Sequence, residues 1–181
     1  MKKHNQQQSG FTLIELVVVI VILGLLAVVA APKFVDLTSD AKASVIKNIS
    51  GNLTTAIGFA LMKDKIAGGK GEPIDYNGNT ITFTAGNPTP SATEMRYLLE
   101  MNLPSTTWTF NWSTIPCSDS EFCIVGNRPF SDNSLPPIAE FTSGTGVFFW
   151  PEGYTLDDCF SYYLNLEDGS EPIVNYVDTG C

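Results

Sequence analysis

Four cysteines fall in the second half of the chain, and no histidine lies near them: Cys117, Cys123, Cys159 and Cys181. An even set of this kind could form disulfides or bind a metal. Zinc sites usually use Cys-x-x-Cys pairs or histidine, whereas five residues separate Cys117 from Cys123. We therefore expect disulfides, no metal and an oxidising compartment for this part of the chain. The spacing by itself leaves three pairings open.

One carboxylate, Glu15, stands inside an apolar run near the N-terminus. A charged side chain within a membrane costs roughly 2.5–3.5 kcal/mol on insertion scales, so Glu15 should have a partner. The next basic residue is Lys33, which would lie about 27 Å further along a helix. A free amino group at Phe11, created by cleavage of the chain, is the candidate partner. The alternative is that the Glu15 side chain extends to the aqueous interface.

The run that contains Glu15 has the composition of a membrane span. Residues 16–31 read LVVVIVILGLLAVVAA, and a helix from Phe11 to Ala31 would roughly cross the ~30 Å hydrocarbon core of a bilayer. The preceding MKKHNQQQSG is polar and basic and has the features of a processing segment. In a secretory signal the small residues at the cut follow the apolar run, but here Ser9 and Gly10 precede it. Cleavage after Gly10 would keep the span on the mature chain, in contrast to a removed signal; an uncleaved signal anchor is the other alternative.

A second apolar pattern predicts that this helix continues to about Ala67, where GGKG at 68–71 would end it. Gly24 and Pro32 interrupt the helix and predict a bend or a loosened turn; alternatively, Pro32 separates two helices. The predicted stripe recurs every four residues, with four reinforcing positions: Leu37, Ala41, Val45, Ile49, Leu53, Ile57 and Leu61, with Phe34, Ile46, Ala56 and Ala60.

Short β-rich runs separated by turns follow from residue 72 and predict an antiparallel sheet. A short helix is expected over 91–103, capped by Ser91 or Thr93 and stopped by Pro104. The predicted strands are 80–84, 106–112, 122–125, 147–150, 160–166 and 173–177.

The amphipathic half of the long helix needs an apolar partner, and a sheet with one aromatic-rich face would provide it. We therefore predict a single α+β head. The aromatic side chains in question are expected in the core rather than in a ligand platform; they are Phe148, Trp150, Phe160, Tyr162 and Tyr163.

Composition argues against several functions. The net charge of -9 is unsuited to nucleic acid. The single histidine, His4, lies in the polar N-terminal segment, and neither a Gly-x-Ser-x-Gly motif nor a phosphate loop is present. We expect neither enzyme activity nor a cofactor. Asp157 with Asp158, or Asp168 with Glu171, could hold calcium, but EF-hand spacing is absent and solvated loops are expected.

Residues 10–34, GFTLIELVVVIVILGLLAVVAAPKF, resemble the N-terminal signature of type IV pilins and of type II secretion pseudopilins, most closely that of MSHA-type pilins. The resemblance implies that a prepilin peptidase cuts between Gly10 and Phe11 and N-methylates Phe11. It also implies that Glu15 meets the Phe11 amine of a neighbouring subunit and sets the register of a filament. The Cys159–Cys181 pair resembles the C-terminal disulfide loop of pilins, which leaves Cys117 to pair with Cys123.

The expected organisation is a type IV pilin-like α+β fold. A leader (1–10) precedes a transmembrane and assembly helix (11–31), its amphipathic continuation (32–67), and a head packed as an antiparallel sheet (68–181). Before assembly the chain would cross the inner membrane with its N-terminus in the cytoplasm, and afterwards it would form a cell-surface pilus.

The expected function is that of a structural subunit of an MSHA-like pilus, which polymerises through its apolar helix and mediates surface adhesion. Its partners would be other copies of the chain, the prepilin peptidase, the pilus assembly machinery, and host or surface glycans. Two alternatives stay open. One is a type II secretion pseudopilin, and the other is a membrane-anchored adhesin that does not polymerise.

Overall fold

The computed structural model describes residues 12–101, 116–118 and 120–181, and residues 31–36 by their backbone only. The predicted leader 1–10, the predicted strand 106–112 and Pro104 lie outside the described residues. The chain divides into two compact units, Met1–Ser39 and Asp40–Cys181. A long helix, α1 (Leu13–Ala67), begins in the first unit and ends in the second.

The end of α1 lies where the sequence predicted it. Gly68 has a φ of 120°, which glycine adopts without the steric cost of a side chain. Its N–H donates to the Lys65 carbonyl (3.2 Å), and the Gly69 N–H donates to the Asp64 carbonyl (2.8 Å). This pair of bonds is the Schellman arrangement, which satisfies the last helical carbonyls. The buried Asp64 side chain also accepts a bond from the Gly71 N–H, at 3.0 Å.

The apolar stripe of α1 in the second unit differs from the prediction in its spacing. At 3.6 residues per turn, a strict four-residue repeat drifts around the helix, so a buried face must alternate steps of three and four. Ala41 is accordingly exposed, and Val45 and Leu61 are only half-buried. The buried residues of the stripe are Ile46, Ile49, Leu53, Ala56, Ile57 and Ala60.

Two small hairpins follow α1. The first pairs β1 (Ile74–Tyr76) with β2 (Asn79–Ile81), and the second pairs β3 (Phe83–Thr84) with β4 (Asn87–Pro88). The prediction of one strand over 80–84 was therefore wrong. Thr82 interrupts it, because its N–H donates to the Glu94 carboxylate (2.8 Å) rather than to a neighbouring strand.

Helix α2 (Ala92–Leu98) is shorter than the predicted 91–103. Its start agrees with the prediction, since the Ser91 side chain accepts a bond from the Glu94 N–H. Its end does not, because Glu100 adopts a φ of 53° and leaves the helix well before Pro104. The Glu100 carboxylate accepts a bond from the Asn77 side chain (2.9 Å), which ties this turn to the first hairpin.

The main sheet is antiparallel and four-stranded, in the order β5-β6-β7-β8. Its strands are β5 (Phe122–Pro129), β6 (Thr145–Pro151), β7 (Phe160–Asn165) and β8 (Ile173–Val177). Strands β5, β6 and β8 each contain a predicted run, and β7 ends at Asn165, one residue before the end of the predicted run 160–166. The α+β fold class predicted from the sequence is thus confirmed: a long apolar N-terminal helix followed by antiparallel strands.

The sheet is apolar on both faces, which corrects the expectation of one aromatic face against α1. Val147, Phe149 and Tyr163 pack in the cluster that includes the α1 stripe. The other four aromatic residues named from the sequence pack on the opposite face, with Phe141 and Leu156 and the following rings: Phe148, Trp150, Phe160 and Tyr162. Successive strand residues point to opposite faces, so an unbroken apolar run supplies two cores.

Candidate functional site

The described part of α1 starts with a hydrogen-bonded turn built by Thr12 and Glu15. The Thr12 N–H and hydroxyl each donate to a Glu15 carboxylate oxygen at 2.8 Å, and the Glu15 N–H donates to the Thr12 hydroxyl at 3.3 Å. This is a capping box, in which residues three apart satisfy each other's free N–H groups. The Glu15 carboxylate therefore has partners within its own turn, in addition to any it gains elsewhere.

Thr12 is a site residue that the sequence reasoning missed. The signal was present, because a Thr followed by Glu three positions later, ahead of an apolar run, is the pattern of a capping box. The charge of Glu15 favours a basic partner in the sequence, but its carboxylate bonds instead to the hydroxyl and the backbone N–H of Thr12.

The helix that follows is apolar on every side. Leu13–Ala30 has a mean hydropathy of 3.2 and is long and apolar enough to cross a membrane. Its large apolar side chains are between 43% and 81% exposed. They are Leu13, Ile14, Leu16, Val17, Val18, Val19, Ile20, Val21, Ile22, Leu23, Leu25, Leu26, Val28 and Val29.

Such a surface has a large free-energy cost in water. Full burial of one Val, Leu or Ile side chain contributes about 1.5–3 kcal/mol, so covering the exposed part of these fourteen side chains would contribute roughly 13–25 kcal/mol. A folded domain has a net stability of only about 5–15 kcal/mol. The segment therefore requires an apolar environment, from lipid or from other protein surfaces.

The two residues at which a bend was predicted lie within one continuous helix. The assignment of α1 runs through both Gly24 and Pro32, rather than giving the two separate helices that were the alternative. A Cβ added at Gly24 would meet no atom within 4 Å. The bend at Gly24 and Pro32 stays a prediction. The predicted cleavage and methylation site, Gly10 and Phe11, lies outside the described residues.

The four cysteines form two disulfides on opposite faces of the sheet. Cys117 joins Cys123 with a Cα–Cα distance of 5.7 Å, and Cys159 joins Cys181 at 4.9 Å. The first pair lies in the aromatic cluster away from α1, and the second lies in the cluster that contains the α1 stripe. This is the pairing that the family resemblance implied.

The C-terminal segment is held by further contacts beside its disulfide. The Tyr154 hydroxyl donates to the Cys181 carbonyl at 2.6 Å, and the Gly180 N–H donates to the Asp158 carbonyl at 2.9 Å. The Lys47 ammonium on α1 lies 2.8 Å from the Asp178 carboxylate. This hydrogen bond lowers the pKa of Asp178 and, with the attraction of the opposite charge, raises the pKa of Lys47.

Neither acidic pair considered for calcium stands out as a metal site. Among residues 12–101, 116–118 and 120–181, there is no group of three or more His, Cys, Asp or Glu placed to hold a metal ion. The Asp168 carboxylate instead accepts a bond from the Ser170 N–H at 2.9 Å. Hydrogen bonds from the Ser170 side chain and backbone lower the pKa of Asp168, as expected for a solvated turn.

Comparison with known proteins shows which proteins this chain resembles. The prokaryotic N-terminal methylation motif matches residues 5–31. The type IV major pilin protein PilA of Myxococcus xanthus (strain DK1622) is 26% identical over 148 residues, which cover 78% of this chain and 62% of that protein. These similarities support the type IV pilin and pseudopilin family that the N-terminal signature predicted. No solved structure gives a significant match.

Other relatives include a fimbrial protein and a secretion protein. The type IV major fimbrial protein FimA of Dichelobacter nodosus is 34% identical over 88 residues, covering 47% of this chain and 55% of FimA. The type II secretion system core protein G of Pseudomonas aeruginosa is 52% identical over 44 residues, covering 24% of this chain and 31% of that protein. These relatives are pilin-like subunits rather than enzymes, in agreement with the prediction of a non-enzymatic chain.

The chain spans between 35% and 64% of the length of the pilin and fimbrial relatives that it matches. The match to the secretion protein is shorter and equals 31% of that protein's length. The chain is thus a pilin-like subunit with an apolar N-terminal helix suited to membrane anchoring. Which assembly it enters is a separate question.

Proposed function

We propose that this chain is the structural subunit of an MSHA-like type IV pilus, in which copies polymerise through Leu13–Ala30 and the filament mediates surface adhesion. The observation that carries the proposal is the exposed apolar helix, which requires lipid or protein on all sides. Lipid would cover it before assembly, and the same segments of neighbouring copies would cover it afterwards. Extraction from the membrane then exposes little apolar surface to water.

Processing would precede assembly. A prepilin peptidase would cut between Gly10 and Phe11 and N-methylate Phe11, while the chain lies in the inner membrane with its N-terminus in the cytoplasm. The matched methylation motif at residues 5–31 supports this step. Mass spectrometry of the mature chain tests it directly. A mature N-terminus at N-methyl-Phe11 is expected, whereas an N-terminus beyond Ala31 would overturn polymerisation through this helix.

Glu15 would set the register of the filament by meeting the Phe11 amine of a neighbouring copy. In the isolated chain its carboxylate is satisfied by Thr12, so assembly exchanges or extends these local bonds. Glu15→Ala is expected to abolish most sheared filament while the subunit stays in the membrane. Thr12→Ala is the matched control, since it removes the local hydroxyl and leaves the carboxylate. Normal filament yield from Glu15→Ala would overturn the register role.

Pro32 and Gly24 would let the apolar segment change direction relative to the rest of α1 during packing. Proline lacks the N–H that would bond the carbonyl of Val28 and crowds that carbonyl. Pro32→Ala is therefore expected to straighten the helix and change filament dimensions in electron microscopy. Unchanged filaments would remove the bend from the mechanism.

A pseudopilin of type II secretion is the second candidate, and the 52% identity to core protein G over 44 residues favours it. That similarity is confined to 24% of the chain, whereas the similarity to Myxococcus PilA extends over 78%. Deletion in the producing cell separates the two functions. Loss of surface filaments and attachment supports the pilus, and loss of secreted proteins with filaments retained supports the pseudopilin. A third candidate, a membrane-anchored adhesin that does not polymerise, predicts neither surface filaments nor a secretion defect.

A further inference from the structure

The turn of the first hairpin contains an Asn-Gly dipeptide, Asn77–Gly78, and no other asparagine of the sequence precedes a glycine. Both residues are exposed, and both have left-handed φ values, 50° and 80°. A two-residue turn between the paired residues Tyr76 and Asn79 needs this conformation, which Asn-Gly adopts most readily. The fold thus explains the dipeptide, but the dipeptide also has a chemistry of its own.

An asparagine that precedes glycine is the kind most prone to lose ammonia, because glycine has no side chain to hinder the attacking nitrogen. The Gly78 nitrogen bonds to the side-chain carbonyl carbon of Asn77, and the bond from that carbon to the amide nitrogen breaks. The proton of the Gly78 nitrogen leaves with the amide group as ammonia. Water then opens the cyclic imide at either carbonyl, which gives aspartate or isoaspartate.

The contacts of this turn leave the reacting groups accessible. The Gly78 N–H makes a long bond to the Asp75 carboxylate, at 3.4 Å, and a Cβ added at Gly78 would meet no atom within 4 Å. The attack requires the turn to open. The pairing of β1 with β2 consists of three residue pairs, and such a short hairpin opens locally at a small cost in free energy.

The amide group at Asn77 also holds the turn that follows α2. Its nitrogen donates to the Glu100 carboxylate at 2.9 Å, and Glu100 has a left-handed φ of 53°. The N–H groups of Leu99, Glu100 and Met101 all donate to carbonyls of α2, at 3.0–3.1 Å. A carboxylate at position 77 would replace this donor with a second acceptor, and two like charges at that distance repel.

We propose that Asn77 is a site of spontaneous deamidation, and that the carboxylate formed there releases the first hairpin from the turn that follows α2. The reaction uses this chain and water alone, so it does not depend on which assembly the chain enters. The ammonia is lost to solvent, so the product accumulates with the age of the chain. Each converted copy has one additional negative charge.

Ageing of the purified full chain in detergent at mildly alkaline pH tests the site. Peptide mapping by mass spectrometry, with separation of the aspartate and isoaspartate products, is expected to find both at Asn77. Conversion there should be several-fold faster than at Asn133, which is also exposed but precedes a serine. A synthetic peptide of residues 74–81 sets the incubation time. Asn77 that is still intact when the peptide has converted, or that converts no faster than Asn133, would overturn the proposal.

Hydrogen exchange measures the consequence without ageing. Asn77→Asp carries the product charge and is expected to reduce the protection of the amides of residues 99–101 several-fold. Asn79→Asp is the matched control, because it adds the same charge at a residue whose amide donates to the Asn77 carbonyl rather than to Glu100. Adding Glu100→Gln to Asn77→Asp should restore protection, since the new amide can donate to the carboxylate. Unchanged protection in Asn77→Asp, or an equal loss in Asn79→Asp, would overturn the proposed release.

Discussion

At the residue scale, two hydroxyl groups on β7 share the buried face toward α1 but differ in their hydrogen bonds. The Tyr163 hydroxyl donates to the Pro88 carbonyl at 2.5 Å. The Ser161 hydroxyl, although fully buried, has no partner among the described residues. Burial of the ring raises the pKa of Tyr163, so this hydroxyl stays a donor over the whole physiological range. This face of the strand thus has one satisfied and one unsatisfied hydroxyl group.

This difference predicts opposite effects of removing each oxygen. Tyr163→Phe leaves the Pro88 carbonyl buried without its donor and is expected to lower the free energy of unfolding by about 1–3 kcal/mol. Ser161→Ala removes an unsatisfied group and is expected to leave stability unchanged or to raise it by up to about 1 kcal/mol. Urea unfolding of the full chain in detergent, followed by tryptophan fluorescence, measures both. A larger loss from Ser161→Ala than from Tyr163→Phe would contradict the assignment.

The ion pair between Lys47 and Asp178 predicts a pH dependence. The pKa of Asp178 is lowered, so its contribution is present above the unfolded pKa of about 3.9 and is lost as pH falls through the lower folded value. The pKa of Lys47 is raised, so its contribution is present below about 10.4 and is lost as pH rises through the folded value. The contribution of this ion pair to the free energy of unfolding should therefore be constant between these two pH limits.

The comparison of Lys47→Met with the parent chain over a pH series isolates this contribution. Lys47 is exposed and Asp178 is partly exposed, so solvent screens the pair and the effect is small. The difference in unfolding midpoint between the two chains is expected to shrink below pH 4. An equal difference at pH 3 and pH 7 would assign the loss to the contact between the Lys47 ammonium and the ring of Tyr176, whose centroid lies 5.6 Å away.

At the scale of elements, backbone contacts determine where the strands can approach each other. Gly144 precedes β6 with a φ of 74°, and a Cβ there would lie 2.1 Å from the Asn165 carbonyl oxygen. Gly126 in β5 is equally crowded, since its Cβ would lie 2.2 Å from the Ala92 nitrogen at the start of α2. These glycines allow β6 to pair with β7 and α2 to pack on β5. Neither close approach follows from local sequence.

Substitution of these glycines should therefore be costly, in contrast to glycines of α1. Gly144→Ala is expected to destabilise the second unit by more than about 2 kcal/mol, because both the conformation and the space are unfavourable. Gly51→Ala is the matched control. It lies in a helix with nothing within 4 Å of the added Cβ, so it should raise stability by up to about 1 kcal/mol. Thermal unfolding followed by circular dichroism compares the two, and similar effects would contradict the argument.

At the scale of the whole molecule, two disulfides secure the two cores of the sheet. Cys159–Cys181 closes a loop that has a sequence separation of 22 and includes β8. Cys117–Cys123 closes a shorter loop, with a separation of 6. The C-terminal bridge restrains a segment that also contacts α1 through Lys47. The bridge thus joins the end of the chain to Cys159, the residue before β7, and the ion pair joins it to α1.

Removal of each bridge should cost a different amount. By loop entropy, Cys159→Ser with Cys181→Ser is expected to lose about 3.4 kcal/mol, and Cys117→Ser with Cys123→Ser about 2.3 kcal/mol. Parallel urea titrations of the two double variants and the parent chain give the comparison. Equal losses, or the reverse order, would show that packing around Cys117 and Cys123 outweighs the entropy of the unfolded chain.

The sequence by itself determined the parts of this protein that depend on local pattern. A long apolar run must be covered by lipid or protein, because its exposure to water is unfavourable. The span at Leu13–Ala30 was therefore predictable. The exit of α1 at Gly68 and the cap at Ser91 were predictable for a similar reason, since each follows from the conformational preference of one residue. The N-terminal signature likewise predicted the family.

Only the tertiary structure decided the rest, because those features depend on residues far apart in the chain. No glycine marks the turn at Glu100 that follows α2, and the side-chain amide of Asn77 in the first hairpin helps to hold this turn. The break at Thr82 depends on a carboxylate twelve positions away. The division of the aromatic residues between two cores depends on which face of the sheet packs against α1. Alternation along a strand shows only that neighbouring residues point to opposite faces, and it does not show which of them contacts the helix.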